Sequence, residues 1–373
     1  MHILFVGGGT AGHINPALAI AGYFKIMNPD CKISYIGTKN GIENKLVPLA
    51  GYDFYSIDVA GFQRSLSAKN IKKNIIAVKK VFTASKEARK LLKELNPDIV
   101  IGTGGYVSGP VVREAIKLGI KTALHEANAF PGVTIKMLSN KVDRLLVAFG
   151  EVLDKLKYRE GTAFVTGNPI RQELTKTTKD EARKQLNIPD NAKVILSFGG
   201  SLGSGAINES IMSVIEYVNN QKDTYIFHGT GKIGYDLFNK NLKDKNITLC
   251  DRAVVLEYIH NMNVLLAAAD LVICRSGAMT VNELQVCGKA SILIPFPAAA
   301  ENHQFHNAMA LKNAGAAEVI EQKDLNGELL LKTVVEIIED RERLKTMSNN
   351  AKKIAVTDAD KRIYDAVRPL INK

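Results

Sequence analysis

At 373 residues the chain is long enough for two domains of roughly 150 residues or more, each with its own core. Apolar residues make up 46% and charged residues 23%, the balance of a soluble globular protein. The longest apolar stretches, VLLAAADLVIC and SILIPFPAAA, are interrupted by Asp270 or by Pro295 and Pro297, well short of the ~20 residues a membrane span needs. A formal charge of +11 asks for an anionic partner.

Nothing at the N-terminus has the pattern of a secretory leader, which predicts a chain that stays in the cytosol. Cys31, Cys250, Cys274 and Cys287 are far apart, form no C-x-x-C and fall mostly in apolar runs. They read as reduced, buried thiols. Met1-His2-Ile3-Leu4 leads straight into FVGGGTAGHINPALAIA, residues 5–21, which contains Gly7-x-Gly9-x-x-Gly12. A glycine turn between strand and helix presents backbone N–H groups to an anion, and diphosphate is the common occupant. A dinucleotide site also requires an acid at the end of the second strand. Here that strand, KISYIG, ends in Gly37-Thr38, and the nearest acid beyond is Glu43. The fingerprint is incomplete, which disfavours an oxidoreductase. His13 stands where the turn becomes a helix; a neutral imidazole there could act as a general base near pH 7, or have no duty beyond the helix start.

Between Arg64 and Leu95 ten basic residues face two acidic ones. Ile71, Ile75, Val78 and Phe82 form an apolar stripe at helical spacing beside Lys72, Lys73, Lys79 and Lys80. Such a stripe is either core with solvated lysines or a docking face for an anionic membrane surface, where each Lys or Arg contributes roughly 1 kcal/mol. With one aromatic and no binding module, the stretch gives no support for nucleic acid.

Two more glycine-dense or polar strand exits follow, GTGGYVSGP at 102–110 and LHEANAFPG at 124–132. Exits from consecutive strands would line one crevice, with Asn128 a contact residue and Glu126 either structural or in contact. TAFVTGNPIRQEL marks a boundary, after which Thr178 and Glu181 form a capping box that starts a fresh helix. Further short strands, KVILSF, TYIFHG, ITLC, LVICR and SILIP, alternate with helices, so both halves read as α/β parallel sheets covered on both faces. The halves start alike, Val6-Gly7-Gly8-Gly9 and Phe198-Gly199-Gly200-Ser201 each closing an apolar strand. FGGSLGSGAINESI offers a phosphate-sized turn with Ser201 as hydroxyl donor. In LVICRSGAMTVNELQVCG, Glu283 is either a solvated helix residue or the acceptor of two ribose hydroxyls. Glu301, Asn302, His303 and Gln304 lie on a polar loop suited to a sugar. No cluster has metal-ligand spacing, and neither G-x-S-x-G nor a Walker A sequence occurs, so neither metal nor cofactor is expected. The last residues, DADKRIYDAVRPLINK, read as an amphipathic helix that could return to the first domain.

In order and spacing, GGGTAGHINPALAIA, GTGGYVSGP, LHEANAFPG, TGNPIR, GGSLGS, CRSGAMTVNE and HQFHNA closely resemble the MurG family of undecaprenyldiphospho-muramoylpentapeptide β-N-acetylglucosaminyltransferases, in glycosyltransferase family 28. The resemblance covers nearly the whole chain. It implies a GT-B fold, two Rossmann-like doubly wound domains facing across a cleft. The expected domains are 1–166 with the terminal helix 357–373, an acceptor and membrane-associating domain, and 167–356, a UDP-GlcNAc-binding domain. The implied reaction is inverting transfer of GlcNAc from UDP-GlcNAc to the C4 hydroxyl of MurNAc in lipid I, giving lipid II at the cytoplasmic face of the bacterial membrane, with the enzyme peripherally attached. Carried over by motif, Thr10, Ala11, Gly12 and Asn128 contact the donor sugar or diphosphate. Arg171, Ser201 and Ala278, Met279, Thr280, Val281, Asn282 and Glu283 hold UDP, with Ile259 near the uracil and Gln304 on the GlcNAc. His13 is the expected base and Glu126 the alternative. The chain departs from the family's usual pattern at His303-Gln304, where two glutamines are common, and at Ala127 within HEAN. Competing readings are a UDP-GlcNAc 2-epimerase, which shares the donor but needs no lipid acceptor, and a non-catalytic nucleotide-binding membrane adaptor.

Overall fold

The structure, a computed structural model, describes residues 1–59 and 83–371. Among the described residues thirteen short strands alternate with helices. β1 (His2–Val6), β2 (Lys32–Thr38), β3 (Asp53–Ile57), β4 (Ile99–Gly102), β5 (Lys121–Glu126), β6 (Arg144–Val147) and β7 (Ala163–Val165) form one sheet in the order β3-β2-β1-β4-β5-β6-β7. β8 (Lys193–Phe198), β9 (Thr224–Gly229), β10 (Ala253–Leu256), β11 (Leu271–Cys274), β12 (Ala290–Leu293) and β13 (Ala317–Val319) form a second, β10-β9-β8-β11-β12-β13. Every pairing is parallel. In both sheets the strand order reverses beside the first strand, between β1 and β4 and between β8 and β11. Parallel sheets with such a switch point bind ligands at the carboxyl ends of the strands flanking it. The chain divides into two units, Met1–Pro169 with Asp358–Lys373, and Ile170–Thr357. Each is a Rossmann-like α/β unit, the pair of folds that defines GT-B.

Strands buried on both faces need continuous apolar runs, and Ile3 to Val6 and Leu271 to Cys274 are fully excluded from water. The helix Ala11–Met27 covers the first sheet with Ile14, Ala17, Ile20, Ala21 and Phe24, spaced by three and four residues. The same core takes in Ile363, Tyr364 and Val367 of the terminal helix Ala359–Val367. Asn28 Nδ2 donates to the Tyr364 hydroxyl at 3.0 Å, and Arg144 Nε donates to the Ala366 carbonyl at 2.9 Å. The last helix therefore completes the first unit's core. In the second unit the helices Gly205–Asn219 and Gly327–Ile338 bury Ile207, Ile211, Val214, Leu330, Val334 and Ile337 in one cluster. Thr178 and Glu181 form the reciprocal capping box that starts the helix Lys179–Gln185.

One expected strand moves. Ile247 and Leu249 of ITLC pack on the second core, but the partner of β9 is Ala253–Leu256. Asn219 Oδ1 accepts from the Cys250 N–H, and the Cys250 carbonyl accepts from Ala253 N. A turn thus takes the backbone groups that a ladder would need. β3 and β13, at sheet edges, were not anticipated. Lys72, Lys73, Ile75, Lys79, Lys80 and Phe82 lie outside the described residues; residues 83–95 are helical. Among the described residues no helix is long and apolar enough to cross a membrane.

Two imidazoles are locked into the sheets without charge. His125 in β5 is bonded to the Gly167 carbonyl at 3.2 Å, and His228 in β9 to the Ser197 hydroxyl at 3.1 Å. Burial holds them down at about 4 and about 3. An unfolded imidazole, near 6.5, binds a proton that the folded one refuses, so stability is lost as pH falls from about 6.5 towards those values. The unfolding free energy from denaturant titrations should drop between pH 6.5 and 5 with a slope approaching ~1.4 kcal/mol per pH unit for each histidine. His228→Gln should flatten the decline of the second unit; an unchanged slope would show that other groups drive acid unfolding.

Candidate functional site

At the first switch point two glycine turns touch. A Cβ at Gly105, after β4, would lie 2.2 Å from the carbonyl oxygen of Gly8, after β1, so only glycine permits this approach. Gly9, Thr10, Ala11 and Gly12 stay exposed above it. Thr103 ties the two turns together, its hydroxyl donating to the His13 carbonyl at 2.7 Å while its own carbonyl meets His13 Nδ1 at 3.1 Å. A carbonyl can only accept, so Nδ1 carries the hydrogen and Nε2 keeps its lone pair. Burial lowers the His13 pKa, with the Thr103 carbonyl and Glu43 acting the other way. The half-buried ring is thus a neutral imidazole with a defined acceptor nitrogen.

Glu43, which the sequence offered only as a misplaced ribose acid, is fully buried. Its carboxylate accepts from Thr38 N at 2.9 Å, from the Thr38 hydroxyl at 2.6 Å, and at longer range from Gly9 N at 3.4 Å. It turns inward and engages an N–H of the glycine turn that a dinucleotide's phosphate would otherwise meet. At the end of β5, Glu126 is also buried. It accepts from Asn128 N (2.9 Å), Asn128 Nδ2 (3.0 Å) and Gly132 N (2.8 Å). Burial raises its pKa and these bonds oppose the rise. Asn128 is half-buried, its amide oriented by Glu126.

In the second unit, Ser201 is exposed on the turn after β8, and Ser204 caps the helix Gly205–Asn219 by accepting from Ile207 N. Arg275, directly after β11, holds the site's loops together. Its Nη2 donates to the Ser204 hydroxyl and to Gln322 Oε1, both at 2.6 Å, and its Nη1 to the carbonyls of Ile294 and Pro295, both at 3.1 Å. Sequence reasoning passed over this residue, though an arginine closing an apolar strand before Ser-Gly was the available signal. The following helix Ala278–Val286 buries Ala278, Val281 and Asn282 and leaves Met279, Thr280 and Glu283 partly exposed. In the first turn the N–H groups of Ala278, Met279 and Thr280 lack intrahelical partners, whereas Val281 N donates to the Gly277 carbonyl at 2.9 Å. Ile259 is buried, its side chain against Gly229 at the end of β9. Glu283 is paired with Arg171, whose Nε and Nη2 both lie 3.0 Å from Oε1. Burial raises the Glu283 pKa and Arg171 opposes this. Gln304 accepts from Phe296 N through Oε1 at 2.9 Å, and its carbonyl accepts from the Ser276 hydroxyl at 2.7 Å. Just before it, Glu301 and Asn302 take left-handed φ values of 50° and 52°.

The expected residues thus gather at the carboxyl ends of strands in both units. Residues 3–147 match the glycosyltransferase family 28 N-terminal domain and residues 194–363 its C-terminal domain. The chain belongs to glycosyltransferase family 28. A UDP-N-acetylglucosamine--N-acetylmuramyl-(pentapeptide) pyrophosphoryl-undecaprenol N-acetylglucosamine transferase of Acetivibrio thermocellus is 43% identical, covering 100% of this chain and 98% of that protein. The one from Ruminiclostridium cellulolyticum is 41% identical with 100% of both covered. Among solved structures, Acinetobacter baumannii MurG superposes with a TM-score of 0.79 at 30% identity over 99% of each chain. Neisseria meningitidis UDP-GlcNAc 2-epimerase, at 15% identity and a TM-score of 0.64 over 99% of this chain and 100% of that one, shares the fold.

For this family 28 chain, Glu43 offers a test of the first turn. A Cβ at Gly41 would lie 2.2 Å from both carboxylate oxygens of Glu43, so Gly41→Ala must displace the carboxylate. Gly22, inside the helix Ala11–Met27, has only the Tyr52 hydroxyl at 4.0 Å. Thermal unfolding should show Gly41→Ala destabilised by about 1–3 kcal/mol and Gly22→Ala unchanged or stabilised by up to ~1 kcal/mol. Equal effects would mean that the carboxylate cradle carries no particular stability.

Proposed function

We propose that the chain catalyses inverting transfer of GlcNAc from UDP-GlcNAc to the C4 hydroxyl of MurNAc in lipid I, yielding lipid II and UDP in peptidoglycan synthesis. The observation that carries this reading is full-length identity above 40% to transferases of that name, joined to a neutral, oriented imidazole on the first unit's turn. His13 is the base. With Nδ1–H directed at the Thr103 carbonyl, Nε2 takes the C4–OH proton as that oxygen attacks the anomeric carbon. The C–O bond to the diphosphate breaks as the new one forms, and the electron pair leaves on UDP.

Charge develops on the departing diphosphate, and preorganised donors there lower the barrier. The second unit supplies exposed Ser201, the first-turn N–H groups of the helices Gly205–Asn219 and Ala278–Val286, and the cationic Arg275 behind Ser204. Arg171 fixes Glu283, whose Oε2 is left to accept ribose hydroxyls, and also offers N–H groups to phosphate. Ile259 lies by the uracil, and Gln304 presents its NH2 to the GlcNAc. On the first unit Thr10, Ala11, Gly12 and Asn128 contact the donor sugar or diphosphate. Glu126, with three hydrogen bonds from its own loop, serves as the positioning residue of Asn128 rather than as a base.

Incubation with UDP-GlcNAc and a lipid I analogue, following UDP release and disaccharide formation, tests the activity. His13→Ala should lower kcat by about 10²–10⁴-fold with little change in KM for UDP-GlcNAc. Near-normal turnover at saturating acceptor would remove His13 from the mechanism.

We further propose peripheral attachment to the cytoplasmic face of the bacterial membrane, where lipid I presents its diphosphate. Lys72, Lys73, Lys79 and Lys80 supply charge, and Ile75 and Phe82 apolar surface. At roughly 1 kcal/mol per cation, replacing all four lysines by glutamine should nearly abolish binding to anionic vesicles. Undiminished binding would place the membrane contact elsewhere.

A further inference from the structure

A cavity of about 640 Å³ lies at the amino ends of β8, β11 and β12 of the second sheet. This is the edge opposite Ser201 and Arg275. Lys289, just before β12, lies at its wall and is 8% exposed. Its ammonium donates to the carbonyls of Ala267 and Ala269 at 2.9 and 2.8 Å. An ammonium has three N–H bonds, and the third has no described partner.

Across the cavity runs the helix Arg341–Lys353. Arg341, Lys345, Ser348 and Lys352 all line the cavity, and their spacing of four, three and four residues puts them in one row along the helix. The stem of Lys352 lies over Gly288, next to Lys289. The other lining cations are paired, Lys179 and Arg183 sharing Asp270 at 2.5 and 2.7 Å and Lys193 with Glu339 at 2.6 Å, and Asp190 is the second lining acid. No ion pair to Lys289, Arg341, Lys345 or Lys352 exists among the described residues. Four uncompensated cations thus share one cavity with a serine hydroxyl.

We infer that this cavity is a binding site for a small oligophosphate, distinct from the switch-point site of the same unit. The volume falls within the range of small-molecule sites, ~300–1,000 Å³. Lysine is a phosphate binder that acts as a point charge, and a compact di- or triphosphate carries the several negative charges that four cations require. Like charges held together in a folded protein cost stability unless an anion joins them. Burial, with Lys179 and Lys352 nearby, pushes the Lys289 ammonium down to about 8, against the opposing influence of Cys287 and Asp270.

Titration calorimetry on the full chain with inorganic triphosphate, at physiological ionic strength, tests the site. The expected result is one triphosphate per chain, retained in the presence of excess UDP and weakened at least tenfold in the double variant Lys345→Glu/Lys352→Glu. Both side chains are exposed, so the variant should fold. Lys289→Met, checked for folding by thermal unfolding, should weaken it similarly. A nucleoside triphosphate that binds more tightly identifies a nucleotide as the ligand; equal affinity assigns recognition to the phosphates alone. Displacement by UDP, binding no tighter than sulfate at matched ionic strength, or unaltered affinity in the double variant would each overturn the proposal.

Discussion

The approach of Gly105 to the carbonyl of Gly8 is the contact on which the first unit's chemistry depends. Parallel strands diverge at a switch point, and a crevice opens only if the two turns flanking it stay small. Once they touch, the Thr103 carbonyl falls at His13 Nδ1 and sets the tautomer. A bulkier residue at Gly105 would separate the turns and release the imidazole. Backbone packing thereby decides which ring nitrogen can act as a base.

The two units use the same strand–glycine–helix device with opposite electrostatics. Behind the first turn lies a buried carboxylate, Glu43, bonded to Thr38 and reaching Gly9 N. Behind the second lies a guanidinium, Arg275, bonded to Ser204, Gln322 and two carbonyls. A carboxylate under a helix start opposes the anion that such a start ordinarily attracts, whereas a guanidinium reinforces it. The difference sets the first unit's Gly7-x-Gly9-x-x-Gly12 turn apart from a dinucleotide site, since Glu43 engages one of its N–H groups. It also supports the proposed placing of the diphosphate at the second turn and of a neutral hydroxyl and its base at the first.

Local features were legible in the sequence: the apolar strand runs, the glycine turns that end them, and the Thr178–Glu181 capping box, each encoded within a few residues. Features made by distant positions were not. Glu43 reads only as the nearest acid beyond the second strand until Gly8, Gly37 and Gly41 close around it. Arg171 and Glu283 are 112 positions apart, and no periodicity links them. The shift from ITLC to Ala253–Leu256 shows the same limit, because both runs are apolar enough for a strand. Asn219, from another helix, takes the Cys250 N–H and decides between them. For Ala278 to Glu283 the segment was legible but not its orientation, so backbone donors and side-chain donors could not be told apart.

The Arg171–Glu283 pair reconciles two roles that compete on sequence alone, a phosphate-binding arginine and a ribose-binding glutamate. Both guanidinium contacts fall on Oε1, and a carboxylate has about four lone-pair sites, so Oε2 remains able to accept. Without Arg171, burial would favour the protonated acid, which would donate a hydrogen bond where a ribose hydroxyl already offers one. Arg171 opposes that rise and so favours the acceptor form, with both of its contacts on one oxygen. The arginine spends only part of its five-donor fork in doing so. Under the proposed function it can orient the glutamate and still face a phosphate, so that ribose and diphosphate recognition would become one preorganised arrangement.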